Sequence, residues 1–233
     1  MKNNDRTFLS WSSGKDSAFA LDMLNKNGIR IPDLLLTAVD EKSLRVPIHQ
    51  IPVDLIKEQF RATGVKGEIL ELPANATNRE YEHTWSEKLT QLRGDGYRFA
   101  AFGDIFLEDI KVYREKQYSG TAIRPIFPIW GMDSHEYMHN FIDLGFRAVV
   151  VSLDLSKMDA SFLGREIDHA FLNDLPPGVD PAGENGEFHT FCFDGPCFKK
   201  PVLFEKGDKS TVVEGSGPYA MEMAQLEIGP LAK

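Results

Sequence analysis

The stretch FLSWSSGKDSAFALDML, Phe8 to Leu24, decides the fold. An apolar run from Phe8 to Trp11 halts at two serines and a glycine. A lysine and an aspartate follow, and then an amphipathic segment begins, with Phe19, Met23 and Leu24 at helical spacing. Strand, glycine turn and helix in that order aim several backbone N–H groups and a helix N-terminus at one point, which makes an anion site. Ser12, Ser13 and Ser17 add hydroxyls, Lys15 adds a point charge, and Asp16 suits the positive end of the helix. Small residues at Ser13 and Gly14 let a phosphate come close to the backbone. A Walker A loop, G-x-x-x-x-G-K-[ST], would need glycine at position 9 and Ser or Thr at 16, where Leu9 and Asp16 stand. The dinucleotide fingerprint G-x-G-x-x-G fails as well. An ordinary strand-to-helix turn carrying a lysine is the competing reading of Ser12–Ser17.

Outward from this turn, short apolar runs alternate with helical patterns. DLLLTAV is apolar throughout, as a strand covered on both faces is. Asp54 to Ala62 carries Leu55, Ile56 and Phe60 on one helical side. GEILEL is a short strand, Asn78 to Leu92 a helix stopped by Gly94 and Gly96, and FAAFGDI another buried run. AIRPIFPI, a helix around Tyr137 to Leu144 and the strand AVVVSL follow. This order predicts an α/β fold with a mostly parallel, Rossmann-like sheet and helices on both faces. Ligands of such a sheet bind at the carboxyl ends of its strands. Beyond about Leu153 the pattern changes. SKMDASFLGREID reads as a turn and then a helix, and FHTFCF, PVLFE, STVVEG and AMEMAQLEI read as short strands. The expected division is residues 1–150 as the nucleotide-binding domain and 151–233 as a smaller α+β substrate-binding region.

A second cluster of chemistry lies in AGENGEFHTFCFDGP, Ala182 to Pro196. Gly183 and Gly186 permit tight turns, Glu184 and Glu187 offer carboxylates, and His189 and Thr190 follow. Such a group can bind an amine, a metal or ammonia, or manage a proton; a polar hairpin is the plain alternative. His189, Cys192 and Cys197 supply three metal-ligand types where a closed zinc site takes four, so the thiols are expected reduced and packed, with no metal. HEYMH, His135 to His139, matches H-E-x-x-H, but its histidines fall at or off the edge of the Tyr137, Met138, Phe141, Ile142 stripe, and Ile142 stands where the longer motif needs glycine. Trp130 is expected as a packing residue, and Arg114 either on the surface or within reach of phosphate. The charge of −9, from 35 acidic and 26 basic residues, disfavours nucleic acid as a partner. No apolar run approaches the ~20 residues that span a bilayer, and MKNNDRTFLSW lacks the apolar stretch of a secretory signal. The expected location is the cytoplasm, with no membrane partner; a homodimer is left open.

SSGKDS resembles the S-G-G-K-D-S loop of the PP-loop ATP pyrophosphatases, with Ser13 in place of a glycine. GENGEFHT is similar to the G-E-G-G-E-[FY]-x-T motif of one branch, the diphthine–ammonia ligase family, with Asn185 in place of a glycine. FGDIFLEDIKVYRE, Phe102 to Glu115, PIWGMDSHEYMHNFIDLGF and FLGREID are similar to that family's bacterial members. The resemblance implies a HUP-type sheet of the adenine nucleotide α-hydrolase kind. It also implies ATP with Mg²⁺, ammonia and a carboxylate acceptor, diphthine-like and carried on a protein in the family. ATP is cut to AMP and pyrophosphate as the carboxylate is adenylated, and ammonia then displaces AMP. It assigns Ser12, Ser13, Gly14, Lys15, Asp16, Ser17, Val39 and Gly103 to ATP, and Lys15, Asp104, Glu187 and His189 to catalysis. Gly183, Glu184, Gly186, Glu187, His189, Thr190 and His49 fall to the acceptor. Another PP-loop reaction such as tRNA thiolation, or a non-catalytic adenine nucleotide-binding protein, are the alternatives.

Overall fold

The computed structural model describes residues 5–28, 30–74, 77–214 and 220–231. Met1–Asn4 and Gly215, the end of the expected STVVEG strand, lie outside them. Five parallel strands, β1 (Arg6–Ser10), β2 (Leu34–Asp40), β3 (Gly67–Leu72), β4 (Tyr97–Ala101) and β5 (Arg124–Ile126), form a sheet in the order β3-β2-β1-β4-β5. The helices α1 (Lys15–Asn27), α2 (Val53–Thr63), α3 (Asn78–Gly94) and α4 (Glu108–Tyr118) are the crossovers. The fold is the expected α/β, Rossmann-like (HUP-type) sheet covered on both faces.

Strand periodicity explains the two faces. Phe8, Leu34 and Leu36 point into a core shared with Trp85, Leu89 and Leu92 of α3 and Tyr118 of α4. One residue along, Leu9 and Leu35 join the opposite core with Phe19 and Leu21 of α1 and Leu55 and Ile56 of α2. Helix α3 begins on a capping box: Thr77 Oγ1 accepts from the Glu80 N–H, and Glu80 Oε2 accepts from the Thr77 N–H.

The core over α1 and α2 runs on into a second sheet. Helix α5 (Ser134–Asp143) leads to β6 (Arg147–Asp154), and after α6 (His169–Asp174) come β7 (Phe188–Asp194), β8 (Phe204–Glu214) and β9 (Met221–Pro230). These four strands pair antiparallel in the order β7-β6-β9-β8. Strand β6 therefore opens the second sheet rather than closing the first, so the architecture changes at Arg147, earlier than the composition indicates. Phe204 and Glu205 of PVLFE and Ser210–Glu214 of STVVEG belong to one strand, β8, whose polar middle is a register shift between Lys206 and Lys209. The helix expected in SKMDASFLGREID is only a 3₁₀ turn, Ala160–Phe162; Gly164 at φ 84° breaks it, and Glu166 bridges to Val149. Strand β4 ends at Ala101, earlier than FAAFGDI suggests, freeing Gly103 and Asp104 for the sheet's rim.

Candidate active site

The strand order changes direction between β1 and β4, and open parallel sheets take ligands in the crevice at such a point. Ser12–Ser17 follows β1 and Gly103–Asp104 follows β4, so the two loops flank this crevice. A cavity of about 350 Å³ fills it, bordered on its third side by Gly183–Thr190.

The turn after β1 is bound to the second sheet. The Lys15 backbone N–H donates to Thr190 Oγ1 at 3.1 Å, joining residues 175 apart in sequence. The Cys192 N–H donates to the Ser13 carbonyl at 2.9 Å. Gln59 of α2, fully buried, completes the weld: its Nε2 donates to the carbonyls of Ser13 (3.0 Å) and Cys192 (2.7 Å), and its Oε1 accepts from Trp11 Nε1 (2.7 Å). These bonds hold Ser13 at φ 73°, left-handed backbone that costs a side-chain-bearing residue about 1–2 kcal/mol. That conformation is the physical reason for glycine at this position of the motif it resembles.

Lys15 is almost wholly buried, its ammonium lying 2.8 and 2.9 Å from the Asp16 carboxylate oxygens and over the Phe188 ring at 5.6 Å. Asp16 also accepts from the Tyr137 hydroxyl at 3.0 Å. Burial and the Asp16 charge push the Tyr137 pKa well up, so the phenol stays a donor. The Ser17 hydroxyl donates to the Gly14 carbonyl at 3.0 Å. Gly103 lies so close to α1 that a Cβ there would sit 2.8 Å from the Asp16 carbonyl carbon.

Across the cleft, Glu184 Oε1 accepts from the Ile105 N–H at 2.9 Å, tying the second motif to the β4 loop as Thr190 ties it to the β1 turn. Burial, then the Asp16 charge, raise the Glu184 pKa to about 7 against the pull of the Ile105 N–H. Asp104 is also raised by burial, although Arg114 stands 3.7 Å away. Asp104 Oδ2 and Arg114 Nε are both shut from solvent with no hydrogen-bond partner. His49 and His189 lie with ring centroids 4.8 Å apart, and burial lowers the pKa of both, His189 the further. His49 Nδ1 lies 3.3 Å from the Thr190 carbonyl. Gly183 has φ 65°, and a Cβ there would come within 2.9 Å of the Phe188 carbonyl oxygen.

Among the residues singled out in the sequence, Ser12, Lys15, Asp16 and Ser17 line the cavity with Gly103 and Asp104. His49, Gly183, Glu184, Gly186, His189 and Thr190 line it too. Ser13 and Gly14 form the floor of the turn, with Ser13 fully buried. Two others lie off the cavity lining. Val39 is packed into the core over α1 and α2. Glu187 is buried, its Oε1 accepting from the Asp180 N–H (3.1 Å) and Asn185 Nδ2 (3.4 Å) within its own turn. Gln59, Phe188 and Tyr137 escaped the sequence. The one trace of Gln59 is a polar residue inside the Leu55, Ile56, Phe60 stripe. Arg114 faces the cleft. His135 and His139 are exposed on α5, and no cluster of metal-ligand residues occurs among the described residues. Cys192 and Cys197 are free and buried, with thiol pKa values raised by burial. No helix is long and apolar enough to cross a membrane among the described residues.

Together, the parallel sheet, the backbone turn at its switch point and the buried lysine beside it define an α/β protein with a ligand crevice at the carboxyl ends of its strands. Residues 133–224 match the family described as Diphthamide synthase C-terminal domain. The diphthine–ammonia ligase of Bos taurus is 26% identical over 129 residues, 53% of this chain and 47% of the relative, and that of Homo sapiens 23% over 123 residues, 51% and 45%. The chain is similar to the diphthine–ammonia ligases over about half of its length, and spans about half the length of the curated relatives it matches. A solved structure, the U34-tRNA thiolase NcsA from Methanococcus maripaludis with its [4Fe-4S] cluster, aligns at TM-score 0.41 and 14% identity over 62% of this chain and 59% of that one.

Proposed function

We propose that the chain is an ATP-dependent amide ligase that cleaves ATP to AMP and pyrophosphate, adenylating a carboxylate for attack by ammonia. The observation that supports this is the weld between the two motifs: Thr190 Oγ1 accepts from the Lys15 amide and Glu184 from the Ile105 amide, so both motifs border one cleft. In this account the Ser12–Ser17 amides and Lys15 hold the β- and γ-phosphates. The acceptor carboxylate oxygen attacks the α-phosphorus, the α–β bridge bond breaks and pyrophosphate leaves. Ammonia then attacks the acyl carbon, passes a proton to a base, and AMP departs with the electron pair of the C–O bond. Residues 1–150 serve mainly the nucleotide and 151–233 the acceptor.

Glu184 suits the proton step better than His189. A base works best with a pKa near the working pH; Glu184 stands at about 7, whereas His189 is pushed well below its usual value. His49 and His189 then act as neutral hydrogen-bonding walls. Mg²⁺ arriving with ATP takes one or two carboxylates alongside phosphate oxygens and water. Asp104 fits as its protein ligand, because Oδ2 is orphaned and poorly matched by Arg114. Bound there, the ion would neutralise phosphate charge. The inert, buried thiols count against sulfur transfer.

The test is product analysis with α-labelled ATP, ammonium chloride and a panel of carboxylic acids. Labelled AMP with an amide product supports the proposal; labelled ADP overturns it.

A further inference from the structure

Past Glu184, Gly186 and His189 the cleft opens into a second chamber of about 450 Å³. Its apolar walls are Ile48 and Leu107, which it shares with the inner cavity, and Met221 and Met223, with Asn185 at one side. The inner chamber sets serines, carboxylates and cations beside Phe102, Ile110 and Phe188; the outer one has no cation and gains the thioethers of Met221 and Met223. Ile48, Leu107, Glu184, Gly186 and His189 belong to both, and Met221 and Met223 to the outer chamber alone.

The outer walls are held in place at a cost. Ile48 lies at φ 67°, with Leu44 at 52° and Gln50 at 55° in the same loop. A β-branched residue in left-handed backbone is an outlier, carrying about 1–3 kcal/mol of strain that the surroundings must hold. They do so here. The Val46 N–H donates to the Ile51 carbonyl, the Gln50 N–H to the Val46 carbonyl, and Arg45 Nη1 to the Gln50 carbonyl. The result sets His49 inside the cleft and leaves Ile48, 48% exposed, at its mouth. Opposite, β9 presents Met221, 46% exposed, while Met223 closes the chamber from within. Strain of this sort gathers at ligand clamps, and methionine adapts its shape to apolar ligands.

We propose that this chamber seats the body of the acceptor, and that the acceptor is a carboxylate borne on an apolar chain, its carboxyl end directed past Glu184 toward the nucleotide. The identity of the chamber as an acceptor subsite rests on the ligase proposal; its preference for hydrocarbon does not. Ile48, Leu107, Met221 and Met223 are its specificity-determining residues.

The experiment follows the methyl signals of Met221 and Met223 in the whole protein labelled at methionine methyls, titrated with hexanoate, octanoate and octanedioate. Each buried methylene is worth about 0.8 kcal/mol, close to fourfold in affinity. Octanoate should therefore bind roughly 10- to 16-fold tighter than hexanoate and shift both methyls, while octanedioate, which buries a second charge, should bind far more weakly. Met221→Ser should flatten the chain-length dependence; Leu203→Ser, at a residue 65% exposed outside the cleft, should not. Octanoate that shifts neither methyl, or binds no tighter than octanedioate, overturns the proposal. Methyl shifts that track protein concentration without any acid would assign the chamber to self-association and overturn it equally. ADP as the labelled product would sink the ligase account while leaving the chain-length series to stand or fall alone.

Discussion

Replacing Gln59 with leucine tests how the nucleotide turn is built. Gln59 makes three buried hydrogen bonds, to Trp11, Ser13 and Cys192. In Gln59→Leu the Trp11 indole N–H is left buried and unpaired, at about 1–3 kcal/mol. The Ser13 carbonyl keeps its bond from the Cys192 N–H, so its loss is smaller. The expected total is about 2–4 kcal/mol, which a domain stable by roughly 5–15 kcal/mol survives folded. Because two of the lost bonds position the turn and β7, ATP affinity should fall along with stability, by roughly tenfold for each ~1.4 kcal/mol that reaches the site. The assay pairs a urea melt with calorimetric titration of ATP. Leu55→Ala is the control. It empties part of the same core at about 2–5 kcal/mol yet removes no hydrogen bond to the turn, so it should lose stability and keep ATP affinity. Gln59→Leu behaving like that control, with unchanged ATP affinity, would refute the claim that Gln59 positions the turn.

Other consequences are as definite. Lys15→Ala should lower AMP formation by at least ~10²-fold with the fold intact, since it removes the buried cation at the phosphate cup; a full rate would remove the lysine from the chemistry. Gly103→Ala forces a Cβ within 2.8 Å of the Asp16 carbonyl carbon, parting the β4 loop from α1 at about 1–3 kcal/mol. ATP affinity should drop in parallel, and unchanged binding would contradict the close approach. Glu184→Gln keeps the bond from the Ile105 N–H but removes a group that titrates near 7 when folded and at 4.5 ordinarily. Between those values the folded protein holds a proton that the unfolded chain has released, so wild-type stability falls as pH rises through the window, by at most ~3 kcal/mol. The variant should match wild type at about pH 4 and exceed it at about pH 8 in urea midpoint; an equal difference at both would deny the raised carboxyl.

Much of this was legible because certain conformations admit few residue types. SSGKDS marks the strand-to-helix turn, and α1 starts at its lysine. DLLLTAV and GEILEL became strands over the residues their patterns mark. What stayed hidden is set by partners distant in sequence. AVVVSL is apolar on both faces, and nothing in such a run distinguishes a parallel neighbour from the antiparallel ones β6 has. The polar middle of β8 looks like a turn but is a register shift within one strand. In sequence Glu187 offers a free carboxylate; the turn from Asp180 folds back over it and uses that carboxylate as a brace. Gln59 carries no motif at all, and its importance exists only once α2 lies against the turn and β7. The apolar outer chamber likewise draws Ile48, Leu107, Met221 and Met223 from three separate segments.

The most direct test is a structure with α,β-methylene ATP and Mg²⁺. The account predicts the β- and γ-phosphates on the Ser12–Ser17 amides beside Lys15, and the α-phosphorus open toward Glu184 and His189. A triphosphate bound elsewhere, or one whose γ-phosphate rather than α-phosphate meets Glu184, would contradict it.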